Sequence, residues 1–267
     1  MNSTQLTGTE VTDLAAACGY DADELAAELA RRPWALHDVL SEPDLVDSTV
    51  GGDDFSPVTS PFVFFAVVTR LAADNLLTSS YVNDWVGPRT RLPVFDVEPV
   101  QEFVAAPGRV LFIARLLTSM VEPVWLPIPA SAGNPWDLVE WLSVVSDDDR
   151  VLLLRRVGDV SLYMAGVHAD ALGHGLVSYD KAERVGMALH MSDHEIGALC
   201  DPASATPGLD ALERVSARSY QECRKAQSTE PPVVSDIAER MNAARRFLTH
   251  LADEFLSPLS PNLPFAA

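Results

Sequence analysis

The stretch DDDRVLLLRRVGDVSLYMAGV, residues 147–167, reads as a helix that is apolar on almost every side. Ser146 stands where a hydroxyl can cap the first turn. Asp147, Asp148 and Asp149 then set negative charge against the free N–H groups and the positive end of the helix dipole. Beyond them Leu152, Leu153, Leu154, Val157, Val160, Leu162, Met164 and Val167 run right round the helix wheel. Arg155, Arg156, Asp159 and Tyr163 leave only a narrow polar stripe, and such a helix is normally surrounded by other elements. Gly158, Ser161 and Ala165 recur on one side at about one-turn spacing. A glycine inside a helix costs about 1 kcal/mol against alanine, so a close crossing by a neighbouring helix is the physical reason to expect one there. The fold predicted from this stretch is all-α: a bundle of about nine or ten helices around a buried central helix at 147–167.

The same residues carry a resemblance. Gly158-Asp159, Leu162-Tyr163, Gly166, Tyr179 and Gly186 form a pattern similar to one in an uncharacterised prokaryotic all-helical protein family. This chain departs from that pattern at Val167-His168-Ala169, in place of an aromatic-Pro turn, at Asp180, in place of a second Tyr, and at His190, in place of an aromatic. The resemblance implies a helical fold and carries no activity.

Outward from the central helix, the chain reads as helices separated by Pro- and Gly-marked breaks. Ser60-Pro61 opens a helix through Leu77 whose first turns, FVFFAVV, are apolar all round. Residues 9–31 read as two short helices about Gly19, with Asp21 and Glu24 placed like a capping box. Their spacing matches a helix-turn-helix, but the second helix would turn Asp21, Asp23, Glu24 and Glu28 towards phosphates, so DNA binding is not expected. Trp34–Leu40 reads as a further short helix, and Ser41–Pro57 as an acidic linker. Helices are predicted over 96–105, 109–121, 136–145, 179–190, 207–227 and 236–255, with an irregular connection over 122–134 and a loop over 168–178. The tail SPLSPNLPFAA, with three prolines, reads as non-helical. No run alternates with period two, so no sheet is expected. The organisation predicted is a small N-terminal helical part and linker over 1–56, a main helical domain over 57–256, and a Pro-rich tail over 257–267.

Composition narrows the function classes. Net charge is −19, and of 19 positive residues only Lys181 and Lys225 are lysines. Such a surface fits a salty cytoplasm or a GC-rich genome. It opposes nucleic-acid binding, where affinity comes largely from neutralising phosphates. Its self-repulsion also predicts that stability rises with salt, which melting curves across a KCl series would test. The longest apolar run, Pro61–Val68, is short of the roughly 20 residues that span a bilayer, and MNSTQLTGTEV has neither the basic start nor the apolar core of a secretory signal. The chain is therefore expected in the cytoplasm, without membrane insertion. Cys18, Cys200 and Cys223 form no CxxC pair and read as reduced thiols.

Two stretches could carry a site. In VNDWVGPRTRLPVFD, residues 82–96, Arg89 and Arg91 stand in a proline-bounded loop beside Trp85. They could hold a carboxylate or phosphate bidentately, or pair with Asp84, Asp96 or Asp159 to pin the loop to the helices. The second stretch holds His168, His174, His190 and His194. HMSDH, residues 190–194, is similar to the zinc-protease HxxEH with Asp193 in the Glu position, and Glu213 or Glu222 are the nearest third ligands. The reading preferred is a non-enzymatic cytosolic interaction or regulatory protein without a cofactor, working with a protein partner or as a homo-oligomer. The alternative is a metal-dependent enzyme built on the four histidines. A third reading, an apolar-ligand binder, rests on FVFFAVV alone.

Overall fold

A computed structural model of the chain describes residues 6–50, 60–122, 134–172, 175–226 and 232–259. In chain order these form α1 (Gly8–Cys18), α2 (Ala22–Arg31), α3 (Ala35–Leu40), α4 (Pro43–Val50) and α5 (Pro61–Thr78). A hairpin of β1 (Val82–Gly87) and β2 (Thr90–Val94) follows, then α6 (Glu98–Val104), α7 (Pro107–Val121) and α8 (Pro135–Trp141). The rest is α9 (Asp147–Val167), α10 (Ala169–Leu172), α11 (Tyr179–Ala188), α12 (Asp193–Leu199), α13 (Pro207–Ala226), α14 (Pro232–Glu239) and α15 (Met241–Leu251). A π-helical turn, Ala252–Leu256, and α16 (Ser257–Leu259) close the described chain. The protein is thus mostly helical, with one two-stranded sheet among the described residues.

Several sequence expectations change. The stretch 82–94 is an antiparallel hairpin and not an irregular loop. Pro43–Val50, within the expected linker, is helical. The last long helix starts at Pro232 and is interrupted at Arg240, and Ser257–Leu259 of the expected non-helical tail form a helical turn. Helices therefore outnumber the nine or ten expected. Most of the expected 122–134 connection, linker residues 51–57, tail residues 260–267 and His174 lie outside the described residues.

Contacts group the chain into two compact units. Unit 1 holds the described residues within Met1–Val82, Phe95–Pro123 and His250–Ala267, and unit 2 those within Asn83–Val94 and Val124–Thr249. In unit 1, α5 buries Phe62, Val63, Phe64 and Phe65 together and packs against α7, α6 and α1. This helix is long and apolar enough to cross a membrane, and 67% of it is buried inside the fold. Ser60 precedes it as expected but makes no side-chain cap, its hydroxyl donating instead to Asp13 at 2.7 Å. The first helix is fixed by a capping box at Thr7 and Glu10, and Glu10 also receives two bonds of 2.7 Å from Arg115.

Unit 2 is built on the pair α9 and α13. The Ser146 hydroxyl accepts from the Asp149 N–H, so α9 begins and ends where its sequence predicts. Its glycines mark the crossings. A Cβ added to Gly158 would lie 2.4 Å from Cε1 of Tyr220 on α13, and one added to Gly166 would lie 2.5 Å from Cβ of Leu248 on α15. Each crossing adds a hydroxyl bonded to the glycine carbonyl, Ser216 at 2.8 Å and Thr249 at 3.0 Å. Gly186 is the third such position, its notional Cβ only 2.2 Å from Ile196 on α12. The Gly-Asp…Gly…Gly spacing in the sequence is therefore a record of helix crossings.

Asp159 follows Gly158 into the same contact. It is 7% exposed and accepts the Tyr220 hydroxyl at 2.7 Å and Arg155 Nε at 2.9 Å. Complete burial, followed by the neighbouring carboxylate, raises the Tyr220 phenol well above its ordinary range, so it acts here as a donor and keeps its proton.

Candidate functional site

The hairpin is the part of unit 2 whose chemistry least resembles plain core. Gly87 and Thr90 flank a two-residue turn of Pro88 and Arg89. Proline fixes a negative φ at Pro88, while Arg89 takes a φ of 55° in the left-handed region. That sign pattern is the one a type II turn demands, and it usually falls to glycine or asparagine. A non-glycine residue there carries strain of about 1 kcal/mol or more.

Two clamps hold the hairpin against the helices of unit 2. In the first, Asp170 on α10 accepts the Trp85 indole N–H at 2.7 Å, the Arg89 backbone N–H at 2.7 Å and Arg91 at 3.2 Å. A second Arg91 nitrogen reaches the other carboxylate oxygen at 3.4 Å. Burial works to raise the Asp170 pKa, but Arg91, the Arg89 N–H and the indole outweigh it and hold the carboxyl down at about 2. In the second clamp, Asp84 on β1 accepts Arg245 at 2.7 Å and Arg246 at 2.8 Å, both from α15. Arg245 is 4% exposed and also bonds Glu213 on α13. Burial would raise the Asp84 pKa as well, and the two arginines reverse it, so its carboxyl lies below the ordinary value.

The residues predicted for a ligand loop are thus brought together, around an acid of the chain itself. Trp85 is a core anchor, 2% exposed, packed with Ala165, Ala169, Leu209 and Leu212. Arg91 pins the loop as one of the two sequence readings held, with Asp170 as the acid instead of Asp84, Asp96 or Asp159. Arg89 contributes its backbone to the clamp, and its exposed side chain has no bonded partner among the described residues. The Arg245–Arg246 pair went unrecognised in the sequence. Its signal was position, since Arg245 falls on the same face of α15 as buried Met241, Ala244 and Leu248.

No family model, curated protein or solved structure matches this chain.

The histidines are dispersed. His190 and His194 do not share a helix, because α11 ends at Ala188 and a capping box of Ser192 and Glu195 starts α12. His190 itself has a φ of 53°, ending α11 in a left-handed turn closed by Met191 N–H on the Gly186 carbonyl at 2.8 Å. Its ring lies 3.1 Å from Glu222, which also binds Arg218 and Lys225. His194 is exposed in the first turn of α12, while His168 lies 3.2 Å from the Tyr163 hydroxyl. Glu213, one expected third ligand, is bonded to Arg245. Among the described residues no three His, Cys, Asp or Glu side chains gather as a metal site.

The clamp makes the hairpin sensitive to acid. Asp170 binds its partners as a carboxylate, and its folded pKa lies below its ordinary value of 3.8. Its contribution is therefore complete above that ordinary value and is lost as pH falls towards about 2. We expect the Trp85 indole N–H resonance and the protection of the Arg89 amide to change across that window. Asp170→Asn should remove the transition at neutral pH already. An unchanged Trp85 resonance in the variant would show that Asp170 does not hold the hairpin.

Proposed function

We propose that the chain is a non-enzymatic interaction protein of the cytoplasm and that the hairpin is its contact surface. One observation carries this reading: the hairpin is immobilised by Trp85 and two ion-pair clamps, yet it holds apolar side chains out to solvent. Val86 is 41% exposed and Leu92 is 53% exposed, on a segment with little freedom left to lose. A preordered surface binds with a smaller entropy cost than a mobile loop. Arg89 at the turn adds a cation on an otherwise acidic protein, which suits a partner bearing a carboxylate beside an apolar patch. The reading takes α9 as the central helix of the unit that supports the hairpin, and it requires neither metal nor cofactor. With a charge of −19 it also makes the partner a protein and not a nucleic acid.

A photo-crosslinking residue at Leu92, compared with one at exposed Asp148, tests this in the native cytoplasm. Expected is a discrete adduct at Leu92 whose partner binds the purified chain and is weakened by Arg89→Ala with the fold intact. Equal labelling at both positions, or a captured protein with no affinity for the purified chain, would remove the hairpin from consideration.

A further inference from the structure

Two adjoining hollows of unit 2 open along α13. One, of about 320 Å³, is lined by Asp210, Glu213, Arg214 and Ala217 and, from the start of α15, by Met241. The other, of about 160 Å³, shares Arg214 and Ala217 and adds Met191, Glu195, Arg218 and Gln221. The larger has the volume of an ordinary small-molecule site.

The larger hollow holds two opposite charges that do not satisfy each other. The Arg214 side chain is exposed and has no bonded partner among the described residues. Asp210, one helical turn earlier, is the acid that would ordinarily pair with it. Both Asp210 oxygens are taken already, by the Ser204 hydroxyl at 2.6 Å and the Thr206 hydroxyl at 3.0 Å. Glu213 is the very next residue, and successive residues of a helix do not face each other. Glu213 accepts Arg245 and Asn242 through Oε1 alone. Its Oε2 takes no bond among the described residues and is not sealed in the core. Burial raises the Glu213 pKa and Arg245 offsets it only in part, so this carboxylate is still short of positive charge.

The smaller hollow has its charges matched. Glu195 accepts the Ser192 N–H at 2.7 Å, and Arg218 donates to the Leu189 carbonyl at 2.9 Å and to Glu222 at 3.2 Å. A simple cation in the larger hollow would leave Arg214 unanswered, and a simple anion would have to approach a chain of charge −19. A molecule that carries both charges meets neither difficulty. We propose that the hollows beside α13 bind a free amino acid, its ammonium on Glu213 Oε2, its carboxylate on Arg214, and an uncharged side chain lying past Ala217 towards Met191. This goes beyond the hairpin reading and uses none of the exposed hairpin residues.

Titration of the full chain with L-leucine, L-methionine and L-glutamine provides the test, followed by calorimetry and by the side-chain amide resonance of Asn242. At least one of the three is expected to bind and to move that resonance, because Asn242 shares the Glu213 carboxylate. Its N-acetyl and methyl ester derivatives each lack one charge and should bind about tenfold more weakly or worse. Arg214→Gln should weaken the free amino acid by a similar factor, leave the methyl ester where it was, and keep the melting temperature, since Arg214 bonds nothing in the fold. Neither heat nor shift with any of the three at about 10 mM overturns the proposal. So does a derivative that binds as well as its parent, or an affinity that Arg214→Gln leaves unchanged.

Discussion

Gly158→Leu is expected to unfold unit 2 or bring it close to unfolding. Even the first carbon of a new side chain would lie 2.4 Å from Cε1 and 2.7 Å from Cδ1 of Tyr220. Tyr220 has no room to retreat, being wholly buried and bonded through its hydroxyl to Asp159. Overpacking usually costs about 1–3 kcal/mol, and here it also pries apart the Ser216 bond to the Gly158 carbonyl, so a loss of about 3 kcal/mol or more is expected. That is a large share of the roughly 5–15 kcal/mol that keeps an ordinary domain folded. An exposed helical glycine would respond in the opposite direction, gaining up to about 1 kcal/mol on substitution by alanine. Urea unfolding of Gly158→Ala and Gly158→Leu therefore separates the two cases by sign. Tyr220→Leu should cost less in the Gly158→Leu background than alone, because it relieves the conflict. Additive losses would place the conflict elsewhere. Arg155→Leu is a poor neutral control, since Arg155 bonds Asp159 and removing it strips a buried carboxylate of its nearest cation.

The second large effect is expected at Arg245. Its side chain is 5% exposed between Asp84 and Glu213, with Arg246 the one other cation bonded to Asp84 among the described residues. Replacement by methionine preserves most of the volume but leaves Glu213 without its cation and halves the compensation at Asp84. Removing one partner of a buried pair typically costs about 3–5 kcal/mol, more than the intact pair contributes against apolar substitutes. Arg245→Met should therefore melt well below wild type and lose protection first in the hairpin. The sign of its pH response is also set. Carboxyls stranded in a buried site have folded pKa values above their unfolded ones, so the variant should recover part of its deficit as pH is lowered towards the carboxylate range. A deficit that is small, or that grows on acidification, would mean that the Asp84 clamp does not hold the hairpin.

How much of this was legible in the sequence differs by element. The bounds of α9 could be read because local chemistry decides them: a serine cap, three aspartates in the first turn, and apolar residues on all sides. The hairpin could not. Its strands alternate poorly, buried at Val82, Asp84, Trp85 and Gly87 on β1 and mostly exposed on β2, and they contain Asn83, Gly87 and Pro93. What holds such a sequence extended is tertiary, namely Trp85 in the core, the carboxylate that α10 offers to the hairpin's N–H groups, and the α15 arginines that answer Asp84. The acids expected to partner the loop arginines were Asp84 and Asp96, close in sequence, or Asp159 on the polar stripe of α9. The partner, Asp170, lies 79 residues beyond Arg91 and is one of many aspartates, so only the folded chain could select it. His190 and His194 were misleading for the opposite reason. Their spacing fits one helix face, but Ser192 and Glu195 start a new helix between them.

Pro93 has a bearing on how this chain behaves when crowded. A two-stranded ribbon that is open along one side is a template on which other chains can grow as fibrils, rung by rung. β2 is the solvent-facing strand, and Pro93 deprives it of one N–H near its end. A further strand adding there would find one of its backbone acceptors unanswered, so β2 is expected to be a poor edge for cross-β growth.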